Sequence, residues 1–461
     1  MKIHPTVKEA ASIFAGAGKQ VYLVGGAVRD LLRGEKIKDW DLATDARPEE
    51  VMALFQRGEK TGVRSFVVPT GIKHGTVTIH FKELSMETTT FRSESGYSDA
   101  RHPDKVEFGV SIETDLSRRD FTMNAAAYKL PDGPLIDPFD GGGDIKRRLI
   151  RAVGKPEERF SEDGLRPIRA LRFASQLDFS VDEELLAAIP GAISFTAKVA
   201  AERIRDELEK ILKTNRPSSA LILMERCGLL KLLLPALAAC RGVEQSKDGS
   251  SGYHRFDVLD HSLLACDFAA REGFPPEVRL AALFHDIGKP ASAKRDDNGD
   301  WTFYRHEKVS SALTRELMGQ FRYPNAVIDK VCLLIDCHMF NYTDNWSDAA
   351  VRRFIIKVGE GNLDDLYALR MADAYALAGN VPPKTYLLPM SMRIDEILAQ
   401  GKALSLRDLA VSGRDLMEIG IKQGKTLGII LDELLEAVLD DPELNSKEKL
   451  LEIASNINRR Y

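Results

Sequence analysis

Two short stretches near the N-terminus, GGAVRDLL at residues 25–32 and KDWDLATD at residues 38–45, decide the fold of the first part of the chain. The first stretch follows an apolar run at 21–24 that predicts a buried strand, and it continues with the pattern of a short helix. A glycine pair between a strand and a helix lets the backbone approach a phosphate, and the N-terminus of the helix favours negative charge. A tight turn without a ligand explains the same pair, so the pair alone leaves both interpretations open.

The second stretch carries Asp39 and Asp41, two positions apart. Side chains at that spacing on a strand point to the same face, and neighbouring carboxylates repel each other unless a cation lies between them. Mg²⁺ prefers such oxygen ligands together with substrate phosphates, and a metal pair can activate a 3′-hydroxyl and stabilise a leaving pyrophosphate. Two surface aspartates in a solvated turn are the alternative. The position of this motif shortly after GGAVRD favours the metal site.

Five further motifs follow in order: HGTV at 74–77, TTFR at 89–92, RRDFTMNA at 118–125, DPFDG at 137–141 and EDGLRPIRALRF at 162–173. Together with the first two stretches, they resemble the signature of the class II tRNA nucleotidyltransferase and poly(A) polymerase family, whose head has the DNA polymerase β-like fold. The resemblance implies that Gly26, Arg29 and Arg119 contact the nucleotide phosphates. It also implies that Asp39 and Asp41 are the catalytic Mg²⁺ ligands.

The last motif predicts a helix with Ser161 as its N-cap, on which Asp163 and Arg166 share a face and brace each other. Arg169 and Arg172 extend this face, which offers charge and hydrogen bonds to a base and a triphosphate. A salt-bridged, solvated helix is the alternative. The resemblance implies that all four bind the nucleotide and that Asp163 and Arg166 read the Watson–Crick edge of the incoming base. Cytosine and adenine share an amino donor beside a ring-nitrogen acceptor, whereas guanine and uracil present a carbonyl.

Members of this family add CCA, CC, A or poly(A), and the shared motifs do not separate them. The polar segment SESGYSDARHPDKVEF at 93–108 reads as a flexible loop that includes Tyr97, Asp99 and Arg101. CC-adding members lack such a loop, so its presence argues against a CC-only enzyme. The sequence therefore predicts template-independent addition of CCA to the 3′ end of tRNA from CTP and ATP. An A-adding enzyme that works with a separate CC-adding enzyme remains the alternative.

A second constellation resembles the HD superfamily of metal-dependent phosphohydrolases. Its motifs contain His261, His285 with Asp286, and Asp373, and the resemblance implies that these four residues bind a second divalent metal. His306 and His338 lie between them in the sequence. Such a site can hydrolyse phosphoesters, or the helices can serve only as an RNA-binding body. An HD phosphohydrolase with a secondary nucleotidyltransferase head is a further alternative, which the intact head motifs disfavour, as they do a non-catalytic RNA-binding module.

The composition fits a multidomain globular chain of 461 residues with a net charge of −5. We predict an α+β, polymerase β-like nucleotidyltransferase head (1–150), followed by a mostly α-helical neck that binds nucleotide and RNA (151–240), a body formed by the HD domain (250–380) and a tRNA-binding helical tail (381–461). The alternation of Thr76–Phe81 and of Met86–Phe91 predicts a β-hairpin. Helices are predicted at 163–177, 217–235 and 306–321 among others, and no strand pattern follows about Glu157. Five unclustered cysteines and the absence of a signal-peptide or membrane-span pattern favour a cytoplasmic location. The predicted partners are the tRNA 3′ end, CTP and ATP, with no membrane and no protein partner.

Overall fold

The computed structural model describes residues 3–56, 65–97, 104–245, 256–297, 299–343, 345–383, 385–399 and 405–460. The chain forms two compact units, unit 1 (Met1–Ala238) and unit 2 (Ala239–Tyr461). Unit 1 combines a mixed β-sheet with helices, and unit 2 is almost entirely helical. The predicted fold class is therefore confirmed. The finer division into head, neck, body and tail stays a prediction.

The strands of unit 1 carry much of the head sequence. They are β1 (Val21–Val24), β2 (Trp40–Thr44), β3 (Ser65–Gly71), β4 (Thr76–Phe81), β5 (Leu84–Thr90), β6 (Arg92–Ser95), β7 (Lys105–Phe108), β8 (Ala127–Lys129), β9 (Leu135–Ile136), β10 (Leu149–Ile150) and β11 (Ser180–Val181). Within the described residues, seven of these strands form one sheet in the order β3-β4-β5-β2-β1-β8-β9. β2 pairs in parallel with β5, whereas β1 pairs antiparallel with β2 and with β8. The strand predicted at 21–24 and the hairpin predicted from Thr76 to Phe91 are both present.

Helices flank this sheet and continue beyond it. They are α1 (Pro5–Gly16), α2 (Gly26–Arg33), α3 (Pro48–Gln56), α4 (Ile112–Ser117), α5 (Gly141–Arg147), α6 (Pro156–Glu162), α7 (Arg166–Leu177), α8 (Glu183–Ala188), α9 (Ile193–Thr196), α10 (Ala201–Leu212), α11 (Pro217–Arg226), α12 (Leu229–Leu233) and α13 (Pro235–Ala238). α1 and α3 cover one face of the sheet, so the side chains of β4 alternate between buried and half-buried positions. Phe55 of α3 packs between Phe14 and Phe81, with ring centroids 5.4 and 5.7 Å away. Leu42 of β2 belongs to the same apolar cluster, so its neighbour Asp41 points to the opposite face of the sheet.

The described residues of unit 2 form helices and one short strand pair. Its elements are α14 (Val258–Arg271), α15 (Pro276–Phe284), α16 (Lys289–Ser292), β12 (Lys294–Arg295), β13 (Trp301–Thr302), α17 (His306–Gln320), α18 (Asn325–Cys337), α19 (Asp348–Val358), α20 (Leu363–Ala378), α21 (Leu388–Ala399), α22 (Gly413–Glu418), α23 (Lys425–Asp440) and α24 (Lys447–Asn458). α14 packs against α15 and α20, whereas α23 and α24 enclose a separate apolar core around Leu434 and Leu450. None of the described helices has the length and apolar character needed to cross a membrane.

Three predictions about individual elements were wrong. The helix predicted at 163–177 begins at Arg166, because Asp163 has extended backbone angles (φ −144°, ψ 107°) and ends the preceding helix. The helix predicted at 217–235 is interrupted at Gly228, whose φ of 82° suits glycine and not a helix interior. Short strand pairs also occur where none was predicted, since β10 pairs with β11 and β12 pairs with β13.

Candidate nucleotidyltransferase site

A cleft of about 1200 Å³ in unit 1 collects most of the residues predicted for the head site. Its polar lining includes Gly25, Gly26, Arg29, Asp41, Glu87, Arg119, Asp120, Asp163, Arg166, Arg169, Arg172 and Arg203. These residues come from the β1–α2 turn and α2, from β2 and β5, from the segments that follow α4 and α6, and from α7 and α10. Motifs far apart in the sequence therefore contribute to one cavity.

The two predicted phosphate-binding arginines lie on either side of the glycine turn. Gly25 has φ 64°, and a Cβ atom there would lie 3.0 Å from Nη1 of Arg119, so a side chain at this position would be strained and would crowd the arginine. Nη1 of Arg29 donates to Oδ1 of Asn124 (3.1 Å) and its Nε donates to Asp30 (2.9 Å). These bonds fix Arg29 beside the N-terminus of α2, where backbone N–H groups and both guanidiniums favour an anion.

The carboxylates of the cleft include one that the sequence interpretation missed. Asp41 in β2 lies directly beside Glu87 in β5 in the parallel register. Burial first, and then the nearby charges of Glu87 and Asp39, together raise the pKa of Asp41 to about 6 against the lowering effect of Arg119. Asp39 is exposed and lies just before β2, not on the strand as predicted. A glutamate on a strand can be assigned to such a site only when the strand that pairs with its own strand is known.

The predicted brace between Asp163 and Arg166 was wrong. Because Asp163 is not helical, the two side chains do not share a helix face, and each has its own partner. Arg203 of α10 donates to both oxygens of Asp163 (3.1 and 2.8 Å), whereas Arg166 donates to Glu162 (2.5 Å). The N-cap prediction was also wrong, since Ser161 lies inside α6 and donates to a carbonyl of that helix. Asp163 and Arg166 nevertheless both line the cleft.

The other two predicted arginines of α7 are tied to acidic partners. Arg169 donates to Oδ2 of Asp120 through Nε (2.9 Å) and Nη2 (2.5 Å). Burial by itself would raise the pKa of Asp120, but the guanidinium of Arg169 holds it at about 2. Arg172 is buried against Glu207 of α10, so it braces α7 against α10 from within the wall of the cleft.

The two ends of the segment predicted as a loop form a pair of strands. Arg92–Ser95 pairs antiparallel with Lys105–Phe108. Tyr97, two residues beyond Ser95, lines the cleft and donates to Glu94 (2.7 Å). Asp99 and Arg101 lie outside the described residues.

Comparison with known proteins explains this set of motifs. The poly(A) polymerase head domain matches residues 21–151, a probable RNA- and SrmB-binding site of polymerase A matches 178–241, and a putative tRNA nucleotidyltransferase domain 2 matches 301–454. The CCA-adding enzyme of Lactobacillus delbrueckii subsp. bulgaricus is 50% identical over 437 residues, which cover 95% of this chain and 93% of that protein. The CCA-adding enzyme of Levilactobacillus brevis is 34% identical over 438 residues, which cover 94% and 93%. The chain belongs to the CCA-adding enzyme family.

A solved structure supports the same assignment. The crystal structure of the Bacillus stearothermophilus CCA-adding enzyme in complex with CTP superposes with a TM-score of 0.71 at 29% identity, covering 99% of both chains. CCA-adding enzymes are nucleotidyltransferases that typically use divalent metals. The polymerase-type head and helical remainder predicted from the motifs are therefore those of this family.

Unit 2 of this CCA-adding family member holds a second cluster of ionisable side chains, drawn from α14, from the turn that follows α15 and from α20. Nε2 of His261 lies 3.1 Å from Nε2 of His285 and 3.1 Å from Oδ1 of Asp373. Nε2 of His285 lies 3.3 Å from Oδ2 of Asp286. All four residues are buried. The structure thus brings together the four side chains that the sequence placed in the HD site.

His306 and His338 extend this cluster beyond the four predicted ligands. Asp286 forms one group of potential metal-binding atoms with His261 and His285 and another with His306 and His338. Burial lowers the pKa of His338 to about 3. Burial also lowers the pKa of His285, but Asp286 and Asp373 outweigh it and raise that pKa to about 10. The carboxylates therefore favour positive charge between the rings.

Proposed function

We propose that this protein adds CCA to the 3′ end of tRNA, using CTP and ATP without a nucleic-acid template. The observation that carries the proposal is the single cleft that joins three kinds of groups. The carboxylates of Asp41 and Glu87 line the cleft, and the guanidiniums of Arg29 and Arg119 lie at its glycine turn. Asp163 contributes a further carboxylate to the same lining. The relatives named CCA-adding enzymes, and the CTP bound to the Bacillus stearothermophilus enzyme, support the same activity.

The carboxylates of the cleft fit a hard divalent cation such as Mg²⁺. Asp41 and Glu87 are neighbours on paired strands, and the raised pKa of Asp41 reflects burial and the repulsion between negative charges. We assign Asp39 and Asp41 as the metal ligands, with Glu87 as a third carboxylate that orients or shares the ion. Mg²⁺ bound there supplies a lowered pKa for the attacking 3′-hydroxyl and charge neutralisation for the leaving pyrophosphate.

Arg29 and Arg119 hold the triphosphate in this mechanism. Their guanidiniums lie at the glycine turn, where Gly26 presents its backbone N–H at the start of α2. Planar guanidiniums bind phosphate oxygens through paired hydrogen bonds, so two of them fix the position of the α-phosphate relative to Asp41. Arg169 remains paired with Asp120 and contributes positive potential to the same wall.

Base selection falls to Asp163 and Arg166. The carboxylate of Asp163 accepts from the exocyclic amino group of cytosine or adenine, and Arg166 donates to the adjacent ring nitrogen. Guanine and uracil present a carbonyl toward Asp163, which leaves two acceptors facing each other. Sites that read hydrogen bonds in this way discriminate strongly, because a mismatched base leaves polar groups unpaired.

The decisive experiment separates complete CCA addition from addition of A alone. Purified protein is incubated with tRNA transcripts that end at the discriminator base, after the first C or after the second C, with each nucleoside triphosphate singly and in combination. We expect C to be added to the first two transcripts and A only to the third. Addition of A alone would establish the A-adding alternative, and no addition to any transcript would overturn the proposal.

A second activity is favoured by the histidine cluster of unit 2. The Nδ1 atoms of three rings each contact a backbone carbonyl three residues earlier: His285 to Ala282 (2.9 Å), His306 to Phe303 (2.9 Å) and His338 to Ile335 (2.7 Å). A carbonyl only accepts, so each Nδ1 carries the proton and each Nε2 is available as a metal ligand. Nε2 of His306 and Oδ1 of Asp286 lie 3.1 Å apart without a hydrogen bond of good geometry, as expected of atoms placed for a cation.

These contacts support a metal-dependent phosphohydrolase site with His261, His285, Asp286 and Asp373 as ligands. A divalent metal there supplies an activated water for phosphoester hydrolysis. Lys289, whose Nζ lies 2.7 Å from Oδ2 of Asp286, places a positive charge beside the cluster, where it can bind a phosphate.

We also propose a division of the chain into four parts. Residues 1–150 form the head and residues 151–240 form the neck. Residues 250–380 form the body, and residues 381–461 form the tRNA-binding tail.

A further inference from the structure

The carboxylate of Asp163 is held from three sides. Nη1 and Nη2 of Arg203 donate to its two oxygens (3.1 and 2.8 Å), and the backbone N–H of Leu165 donates to Oδ1 (3.0 Å). Arg203 belongs to α10, whereas Asp163 ends α6, so the contact joins two separate helices at the wall of the cleft. A two-pronged pairing of this kind fixes the plane of the carboxylate as well as its position.

The backbone beside Asp163 is fixed independently of Arg203. A Cβ atom at Gly164 would lie 2.4 Å from the carbonyl oxygen of Phe195, so only glycine fits between the two segments. Oγ1 of Thr196 donates to the carbonyl of Gly164 (2.8 Å). Removing Arg203 would therefore free the side chain of Asp163 while leaving its backbone in place.

We infer that Arg203 is a positioning residue for base selection, an inference that rests on the proposed function. While two N–H groups of Arg203 hold the carboxylate of Asp163, its remaining lone pairs lie in one plane and face the exocyclic amino group of cytosine or adenine. A carboxylate that rotates freely can instead accept from N1–H of guanine or N3–H of uracil. The loss of Arg203 should therefore relax base choice in the same direction as loss of Asp163, although Arg203 does not touch the base.

The test compares Arg203→Ala and Arg203→Lys with Arg205→Ala as the matched control. Arg205 lies two positions further along α10 and pairs with Asp206, so Arg205→Ala removes one positive charge from the same helix as Arg203→Ala does. Incorporation of CTP, ATP, GTP and UTP is measured as kcat/KM on tRNA ending at the discriminator base and after the second C. For Arg203→Ala we expect misincorporation of GTP and UTP, relative to CTP and ATP, to rise about tenfold or more. Lysine keeps the positive charge but lacks the planar pair of N–H donors, so Arg203→Lys should regain part of the rate and little of the selectivity.

A double variant separates positioning from general support of the fold. If Arg203 acts through Asp163, then Asp163→Ala combined with Arg203→Ala should be no less selective than Asp163→Ala alone. Misincorporation at the wild-type level in Arg203→Ala would overturn the inference, as would equal loss for all four nucleotides matched by a lower melting temperature. A wild-type protein that adds neither CTP nor ATP would instead overturn the proposed function itself, so the two failures are distinct.

Discussion

Asp120→Asn removes a buried negative charge from the wall of the cleft while keeping the shape of the side chain. In the native protein Asp120 accepts two hydrogen bonds from Arg169, and its Oδ1 accepts one from Asn124 (3.3 Å). Only 11% of the Asp120 side chain and 31% of the Arg169 side chain are exposed. The substitution therefore leaves a mostly buried guanidinium without its counter-charge.

The pKa of Asp120 gives the size of the effect. Burial raises this pKa, but Arg169 and Arg166 outweigh burial and hold it at about 2 instead of 3.8. Because each pKa unit corresponds to about 1.4 kcal/mol, the ionised carboxylate of Asp120 in its folded surroundings contributes roughly 2.5 kcal/mol to the free energy of unfolding. The stranded charge of Arg169 adds to the loss, which we expect to reach about 3 kcal/mol.

Urea unfolding of the full chain measures this loss. The chain has three tryptophans, of which Trp40 alone lies in unit 1, so a Trp301→Phe/Trp346→Phe background lets fluorescence report unit 1. Asp178→Asn is the matched control, because Asp178 is 97% exposed, pairs with its arginine only at 3.6 Å and has a left-handed backbone that asparagine tolerates. We expect little change in the control.

The dependence on pH provides a second check. Since the folded pKa of Asp120 lies below its unfolded value, its contribution is fully present above about pH 4 and is lost as the pH falls through about 2. The difference between wild type and Asp120→Asn should therefore be constant from neutral pH down to about pH 5 and should narrow at lower pH. A loss no larger than that of Asp178→Asn, or a difference that does not narrow in acid, would refute the reasoning.

Three further outcomes follow from the two sites. Asp41→Asn and Glu87→Gln should each lower incorporation of both CTP and ATP by about a thousandfold or more; activity within about tenfold of wild type in either variant would contradict the carboxylate assignment. Shortening 93–105 should spare CTP addition and reduce ATP addition in single-nucleotide assays, whereas equal loss of both would show that the segment only supports the head. Replacing His285 and Asp286 together by alanine should remove divalent metal from unit 2, as measured by elemental analysis, and leave nucleotide addition intact. Retention of the metal would exclude these two ligands.

The parts of the fold with strong local patterns could be predicted from sequence. The apolar run at 21–24, the alternation of Thr76–Phe81 and the helix that begins at His306 all lie where their patterns indicated. Local patterns did not reveal the break at Asp163. Pro167 suits the first turn of a helix that begins at Arg166, but the charged residues from Asp163 onward favoured an earlier start, and the separate helix α6 was not predicted.

The site required contacts that no local pattern contains. Glu87 joins Asp41 through strand pairing, and Arg203 reaches Asp163 from a helix 40 positions further along the chain. The motif histidines were identified because their order in the sequence resembles a known constellation. Their Nδ1 contacts to backbone carbonyls depend on how each ring turns at the end of its helix, which spacing alone does not give.

The parallel register of β2 and β5 also determines where this chain tolerates changes in length. A one-residue insertion within Trp40–Thr44 or within Leu84–Thr90 would shift the pairing by one position and turn Asp41 or Glu87 to the opposite face of the sheet. Residues added outside these two strands leave the pairing of Asp41 with Glu87 unchanged. Insertions and deletions among descendants of this sequence should therefore gather in the connections and avoid the two strands, even at positions far from any substrate.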